Sequence, residues 1–270
     1  MKIKHLFGFT NQAKAGKPPA ADAAIPPQPV RWHSHGLTDV GHRRKINEDA
    51  FLARPDIGLW MVADGMGGHQ AGDVASNALV QALATLEAAA ELDTQAARVK
   101  QGIEEVNRHL HRLAAESSSG QIIGSTVVAL VAKGLRCEAF WAGDSRLYRY
   151  RDERLEQLST DHSLTDELVR AGLMTPEEAS AEGGTNIITR AVGAESRLEL
   201  DSLRFEAAPG DLYLLCSDGL AKELDDGEIA RHLAAADLAA ATKALIDATL
   251  AHGGRDNVTV VLIRPEPIPA

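Results

Sequence analysis

A chain of 270 residues with 44% hydrophobic content has enough apolar material for one large domain with a full core. Its net charge of −10 argues against general binding to nucleic acid or to an anionic membrane surface. The charge is uneven: residues 1–35 carry Lys2, Lys4, Lys14, Lys17 and Arg31 against Asp22, a net +4 that leaves −14 for the rest. An acidic body that handles an anionic substrate needs metal cations to reverse the local field.

In chain order, residues 1–31 form an Ala/Pro-rich tail, with Pro18, Pro19, Pro26, Pro27 and Pro29, expected to be flexible. Leu6-Phe7-Gly8-Phe9 is too short for a signal-peptide core, and no run reaches the roughly 18 apolar residues of a membrane span. A single domain is expected over residues 32–266. Residues 34–53 suggest two strands around Gly41 and the basic run His42-Arg43-Arg44-Lys45. Leu59-Trp60-Met61-Val62-Ala63 reads as a buried strand that halts at Asp64, followed by glycines. Asp73 is placed to cap a helix carrying Val74, Ala78, Leu79, Ala82, Leu83 and Leu86. A second helix is expected over 94–115, with Val99, Ile103, Val106, Leu110 and Leu113 on one face.

The period then changes to that of strands, over 122–132, 136–142, 146–151 and 155–158. Residues 163–172 read as helical, and Thr175-Pro176-Glu177-Glu178 as a capping box that opens another helix, broken by Gly183-Gly184. A strand or turn at 186–192 precedes strands at 198–205 and 211–217, helices at 226–234 and 237–251, and a closing strand at 257–263. Runs of strands with helices segregated from them predict an α+β fold with antiparallel sheets. Cys137 and Cys216 both lie inside apolar strand-like runs, as core residues and neither ligands nor a disulfide; that suits a reducing, cytoplasmic setting.

Acidic residues recur at the ends of the strands. Asp64 and Asp218 each follow an apolar run and precede glycine; Asp144 ends another run, Asp256 comes just before the last strand, and Glu48-Asp49 opens one. A carboxylate at the end of a buried strand is costly unless paired or bound to a cation. The set is all oxygen, without a Cys-x-x-Cys or His-x-x-x-His pair, which suits Mg²⁺ or Mn²⁺. Carboxylates enough for two ions sharing a bridging Asp suit in-line phosphoryl displacement, and Arg44, four residues before Glu48, has the planar fork that holds a phosphate.

Eight ordered motifs resemble those of the bacterial metal-dependent PPM/PP2C serine/threonine phosphatases. They are Gly41–Asp49, Val62–His69, Gly124-Ser125-Thr126, Ala142–Arg146, Thr160–Leu164, Asn186–Gly193, Cys216–Leu220 and Gly254–Thr259, together spanning roughly residues 34–264. The resemblance implies a PP2C-like sandwich of two antiparallel β-sheets flanked by α-helices (α-β-β-α). It implies hydrolysis of phosphoserine and phosphothreonine on proteins by a metal-activated water, without a phosphoenzyme. Two Mn²⁺ or Mg²⁺ ions per chain are expected, with an extra position for a third. By resemblance Asp64 bridges both ions, the Gly65 carbonyl joins the second, Asp218 and Asp256 complete the first, and Glu48 and Asp49 serve the second. Asp144 with Asp218 matches the extra position, Arg44 the substrate-phosphate arginine, and residues 160–185 the mobile flap. The implied partners are phosphorylated proteins, among them a Ser/Thr kinase or its targets, with the enzyme a monomer.

The chain also departs from the family pattern. Met66 stands where animal relatives carry a histidine held to protonate the leaving alkoxide, so that role goes unassigned; His69 is read as structural. Many relatives continue Ser217-Asp218-Gly219-Leu220 with Trp or Thr and then Asp, whereas this chain has Ala221-Lys222. Two other readings are a catalytically silent signalling module of the same fold and a metal phosphodiesterase or nuclease. The intact acidic set speaks against the first, and the acidic surface without a basic groove against the second.

Overall fold

A computed structural model describes residues 29–67, 71–117, 122–175, 178, 187–234 and 237–268. The chain runs β1 (Val30–Asp39), β2 (Asp49–Arg54), β3 (Leu59–Met66), α1 (Ala71–Ala84) and α2 (Leu92–Glu116). It continues through β4 (Gly124–Ser125), β5 (Val127–Lys133), β6 (Arg136–Ala142), β7 (Arg146–Arg151), β8 (Arg154–Gln157) and α3 (Leu164–Arg170). Then come β9 (Asp201–Glu206), β10 (Leu212–Cys216), α4 (Asp218–Ala221), α5 (Asp226–Leu233), α6 (Leu238–His252) and β11 (Val258–Pro267).

Two antiparallel sheets result, one ordered β1-β11-β10-β7-β8 and the other β2-β3-β5-β6-β9, with β4 paired to β3. The central strands β3, β5 and β10 are apolar along almost their whole length because each sheet is covered on both faces, and alternate residues serve different layers. Trp60 and Val62 pack between the sheets with Trp32, Trp141, Tyr213, Val261 and Ile263. Their neighbours Leu59 and Met61 point the other way, onto Leu79, Leu83, Val99, Ile103 and Leu110 of α1 and α2. On the opposite side Val260 and Leu262 meet Ile229, Leu233 and Leu245 of α5 and α6. The layers are therefore α-β-β-α, as expected. Both cysteines are free and buried, and burial pushes each thiol up to about 12.

Several boundaries differ from the sequence reading. β3 does not stop at Asp64 but runs to Met66, because Gly65 and Met66 pair with β4. The run 122–132 is two strands, split where Thr126 turns its N–H to the Asp64 carbonyl (2.8 Å) and takes the Asp64 N–H on Oγ1 (3.0 Å). α1 starts two residues before Asp73, which lies in the first turn and does not cap it; its carbonyl accepts from Asn77 and Ser76. The Thr175–Glu178 capping box forms reciprocally, at 2.8 and 3.1 Å, although the helix it would open lies outside the described residues. So do residues 1–28, Gly68 and His69, and residues 179–186 of the expected flap. Residues 187–192 pair only through isolated bridges, Ser125 with Val192 and Ser163 with Ile188.

Candidate active site

The antiparallel register of β2 and β3 sets Asp49 directly opposite Asp64. Asp64 is fixed along its backbone by Thr126 and by the Ser125 hydroxyl, which donates to its carbonyl at 3.0 Å. It keeps a partial opening to solvent, yet dense surroundings hold its carboxyl well above the usual range, with Asp49, Asp218, Asp144 and Asp256 adding repulsion. Asp49 is buried, and burial raises it to about 7 against two hydroxyl donors, Ser217 and Thr259, both at 2.7 Å on Oδ2. Those donors belong to the other sheet. The contact ties the two layers together at the edge where the carboxylates gather.

Asp144 follows β6 and is also raised to about 7, chiefly by burial and then by Asp218 and Asp161. Its turn is held by His162, whose Nδ1 accepts from the Gly143 N–H at 3.2 Å, and by the Thr126–Ser145 hydroxyl pair at 2.7 Å. Asp218 opens the short α4 directly after β10. Asp256 sits in the turn before β11, where its Oδ1 accepts from the Asn257 N–H at 2.9 Å. Six-stranded and five-stranded sheets thus each supply part of the set, and the structure brings Asp49, Asp64, Asp144, Asp218 and Asp256 together.

Glu48 and Gly65 are placed beside them by close backbone packing. The Gly65 N–H donates to the Glu48 carbonyl at 3.0 Å. A Cβ on Gly65 would stand 2.0 Å from the Gly72 carbonyl oxygen, and one on Gly72 would stand 2.5 Å from Glu48 Oε1, so only glycine fits at either position.

Two cations border the set. Arg44 reaches Asp256 with Nε at 2.8 Å and Nη2 at 2.9 Å, and Asp64 and Glu48 lie close enough to add to its charge stabilisation. Lys222 contacts both Asp218 and Asp256. Arg44 lies in the loop between β1 and β2, not on a strand.

The donor set fits hard divalent cations. Asp49 Oδ1, Asp144 Oδ1 and Asp218 Oδ1 are buried without a hydrogen-bond partner, which in a folded protein calls for a proton or a cation. Among the described residues no three acidic, His or Cys side chains already stand arranged around one point. The carboxylates face one another across the edge, and an ion would have to draw them in. The orphaned oxygens and the mutual repulsion weigh more than the unfinished geometry, because acidic side chains separate when no cation lies between them.

The sequence reading gave no role to the residues that hold this edge together. Asn257 accepts the Glu48 N–H on Oδ1 (2.9 Å) and donates from Nδ2 to the carbonyls of Val40 (2.9 Å) and Ile46 (3.1 Å), fastening the Arg44 loop to β11. Ser217, Thr259, Thr126 and Lys222 were likewise passed over. Four of the five lie inside the quoted motifs and Lys222 lies two residues beyond one, so the signal in the sequence is membership of a motif or nearness to it. A cavity of about 580 Å³ between α2 and residues 196–201, lined among others by Lys100, Arg108, Arg197 and Asp201, is separate from the acidic set.

Comparison with known proteins places the chain in a family. The family model described as protein phosphatase 2C matches residues 40–253. The serine/threonine phosphatase stp of Listeria monocytogenes is 34% identical over 242 residues, covering 86% of this chain and 95% of that protein. PppA of Pseudomonas aeruginosa, described as a key regulatory component of T6SS, is 40% identical with a TM-score of 0.80 over 88% of this chain and 99% of its own. The catalytic domain of the phosphatase PstP, solved in complex with 2 manganese ions, is 35% identical with a TM-score of 0.77 over 88% and 99%. With the match running from the Arg44 loop to the end of α6, this chain belongs to the protein phosphatase 2C family.

Proposed function

We propose that this chain hydrolyses phosphoserine and phosphothreonine on proteins at a centre of two Mn²⁺ or Mg²⁺ ions. The observation that carries the proposal is the edge where both sheets converge: five mutually repelling aspartates, three of them with a buried oxygen that has no partner. Asp64 would be shared by both ions, Asp218 and Asp256 would complete one, and Glu48, Asp49 and the Gly65 carbonyl would serve the other. Asp144 with Asp218 would be the place for any third ion. When bound, the ions supply Lewis acidity toward the phosphate and lower the pKa of a water molecule.

The chain's own residues do the rest. Arg44 would leave Asp256 and grip the substrate phosphate through its planar fork. Ser217 and Thr259 keep Asp49 aimed across the sheets, and Asn257 keeps the Arg44 loop in place. A silent binding module gains nothing from carboxylates that repel one another so strongly, which disfavours that reading. Substrates would be phosphoproteins made by a Ser/Thr kinase, and the protein a cytoplasmic monomer; no helix among the described residues is long and apolar enough to cross a membrane.

The test is hydrolysis by the purified chain, with and without Mn²⁺, of a phosphothreonine peptide, a phosphotyrosine peptide and a phosphodiester. Mn²⁺-dependent release of phosphate mainly from the phosphothreonine peptide is expected. Preference for the diester, or turnover unaffected by removal of metal, would overturn the proposal.

A further inference from the structure

Lys222 is a charged side chain at the site that the chemistry above does not use. It is the C-cap of α4, one turn beyond Asp218, and its ammonium lies against Asp218 Oδ2 and 3.2 Å from Asp256 Oδ2. Its side chain is two-thirds shielded, at 33% exposure. The ammonium is thus held between two carboxylates, Asp218 and Asp256. Lys222 also lies near enough to Asp144 for its charge to act on that carboxylate, as do Asp218 and Asp161. Asp218 therefore offers one oxygen to an ammonium and keeps the other, Oδ1, buried and unpartnered, as Asp144 does with its own Oδ1.

The charges show what this arrangement does. Glu48, Asp49, Asp64, Asp144, Asp218 and Asp256 face Arg44 and Lys222, while nearby Asp161 is already matched by Arg146 through three hydrogen bonds. Two divalent ions together with Arg44 and Lys222 neutralise those six carboxylates, and a third ion would leave the cluster positive. An acidic residue at position 222 would change the balance by two charges, the charge of one divalent ion. We infer that the Lys222 ammonium is a built-in cation that takes the place of a third divalent ion beside Asp144 and Asp218, so that this centre works with two. The inference rests on the two-ion reading above.

Equilibrium dialysis of the full chain against Mn²⁺, with bound metal counted directly, tests it apart from activity. Wild type should saturate at two ions per chain, Lys222→Asp at three, and Lys222→Asp combined with Asp144→Asn at two again. Lys222→Met keeps the apolar stem without the charge and should take a third ion about tenfold more tightly than wild type, which carries the test if the Asp variant does not fold. Three tightly held ions in wild type, or an unchanged count and affinity in the folded Lys222 variants, would overturn the role given to Lys222. Fewer than two ions in wild type would instead overturn the two-ion reading, and this inference with it.

Discussion

Arg44 and Asp256 form a half-exposed pair, so the arginine is free to change partner at modest cost. A charge-assisted hydrogen bond contributes roughly 1.5–3 kcal/mol, so Arg44→Ala is expected to lower kcat/KM about ten- to a hundredfold. Arg44→Lys should regain only part of the loss and, keeping the charge, should bind Mn²⁺ as wild type does, whereas Arg44→Ala, with one cation fewer beside Asp256, should bind Mn²⁺ no more weakly than wild type. Arg43→Ala should be mild because it is Arg44, not its neighbour Arg43 in the turn before it, that reaches Asp256 of the acidic set. Kinetics of the three variants across a Mn²⁺ series check this, and an Arg43 defect as large as that of Arg44 would contradict it. The acids make a second residue-scale prediction. Asp49 and Asp144, ordinarily near 3.8, are raised to about 7 in the metal-free fold, which therefore binds protons that the unfolded chain has released. Their contribution to stability is complete below about pH 4 and is lost as pH rises through 7. Melting temperatures of the metal-free protein should fall between about pH 5 and 8, and saturating Mn²⁺ should flatten the trend. A metal-free profile that rises over that window would contradict it.

Elements were legible where a period was long and missed where a side chain redirects the backbone. The amphipathic face of α2, from Val99 through Leu110, could be read directly because its buried stripe repeats, and β3 and β11 because each holds an unbroken apolar run. Thr126 splitting one apolar run into β4 and β5 could not be read, since the interruption depends on Asp64, 62 residues away. α4 is only four residues long and has no period to detect. The acidic motifs held the carboxylates that gather at this edge, yet the bonds that fix them, Asp49 to Ser217 and Thr259, span 168 and 210 residues. Asn257 is the clearest such link, with three hydrogen bonds to the Val40–Glu48 loop. Asn257→Leu should destabilise the fold by about 2–4 kcal/mol, as it leaves the Glu48 N–H and two carbonyls without a partner. Urea unfolding is the measurement, and a loss under 0.5 kcal/mol would show that the loop is held by other contacts.

At the scale of the whole molecule, the site belongs to neither sheet alone, because Asp49, Asp64 and Asp144 come from one and Asp218 and Asp256 from the other. Closing the sandwich forces the carboxylates together, and the fold tolerates this because an apolar layer from Trp32 to Ile263 binds the sheets behind them. The segment 1–28 carries none of these residues, so its deletion should leave turnover of a small phosphate ester unchanged; a large drop in kcat with an unchanged Tm would contradict that. The central claim is that these carboxylates hold the ions that do the chemistry. It is tested most directly by measuring Mn²⁺ binding, phosphothreonine-peptide turnover and metal-free Tm together for Asp64→Asn. The expected result is loss of Mn²⁺ binding and of turnover, with a metal-free Tm equal to or above that of wild type because one repelling charge is gone. Near-native turnover at saturating Mn²⁺ in the folded variant would contradict it.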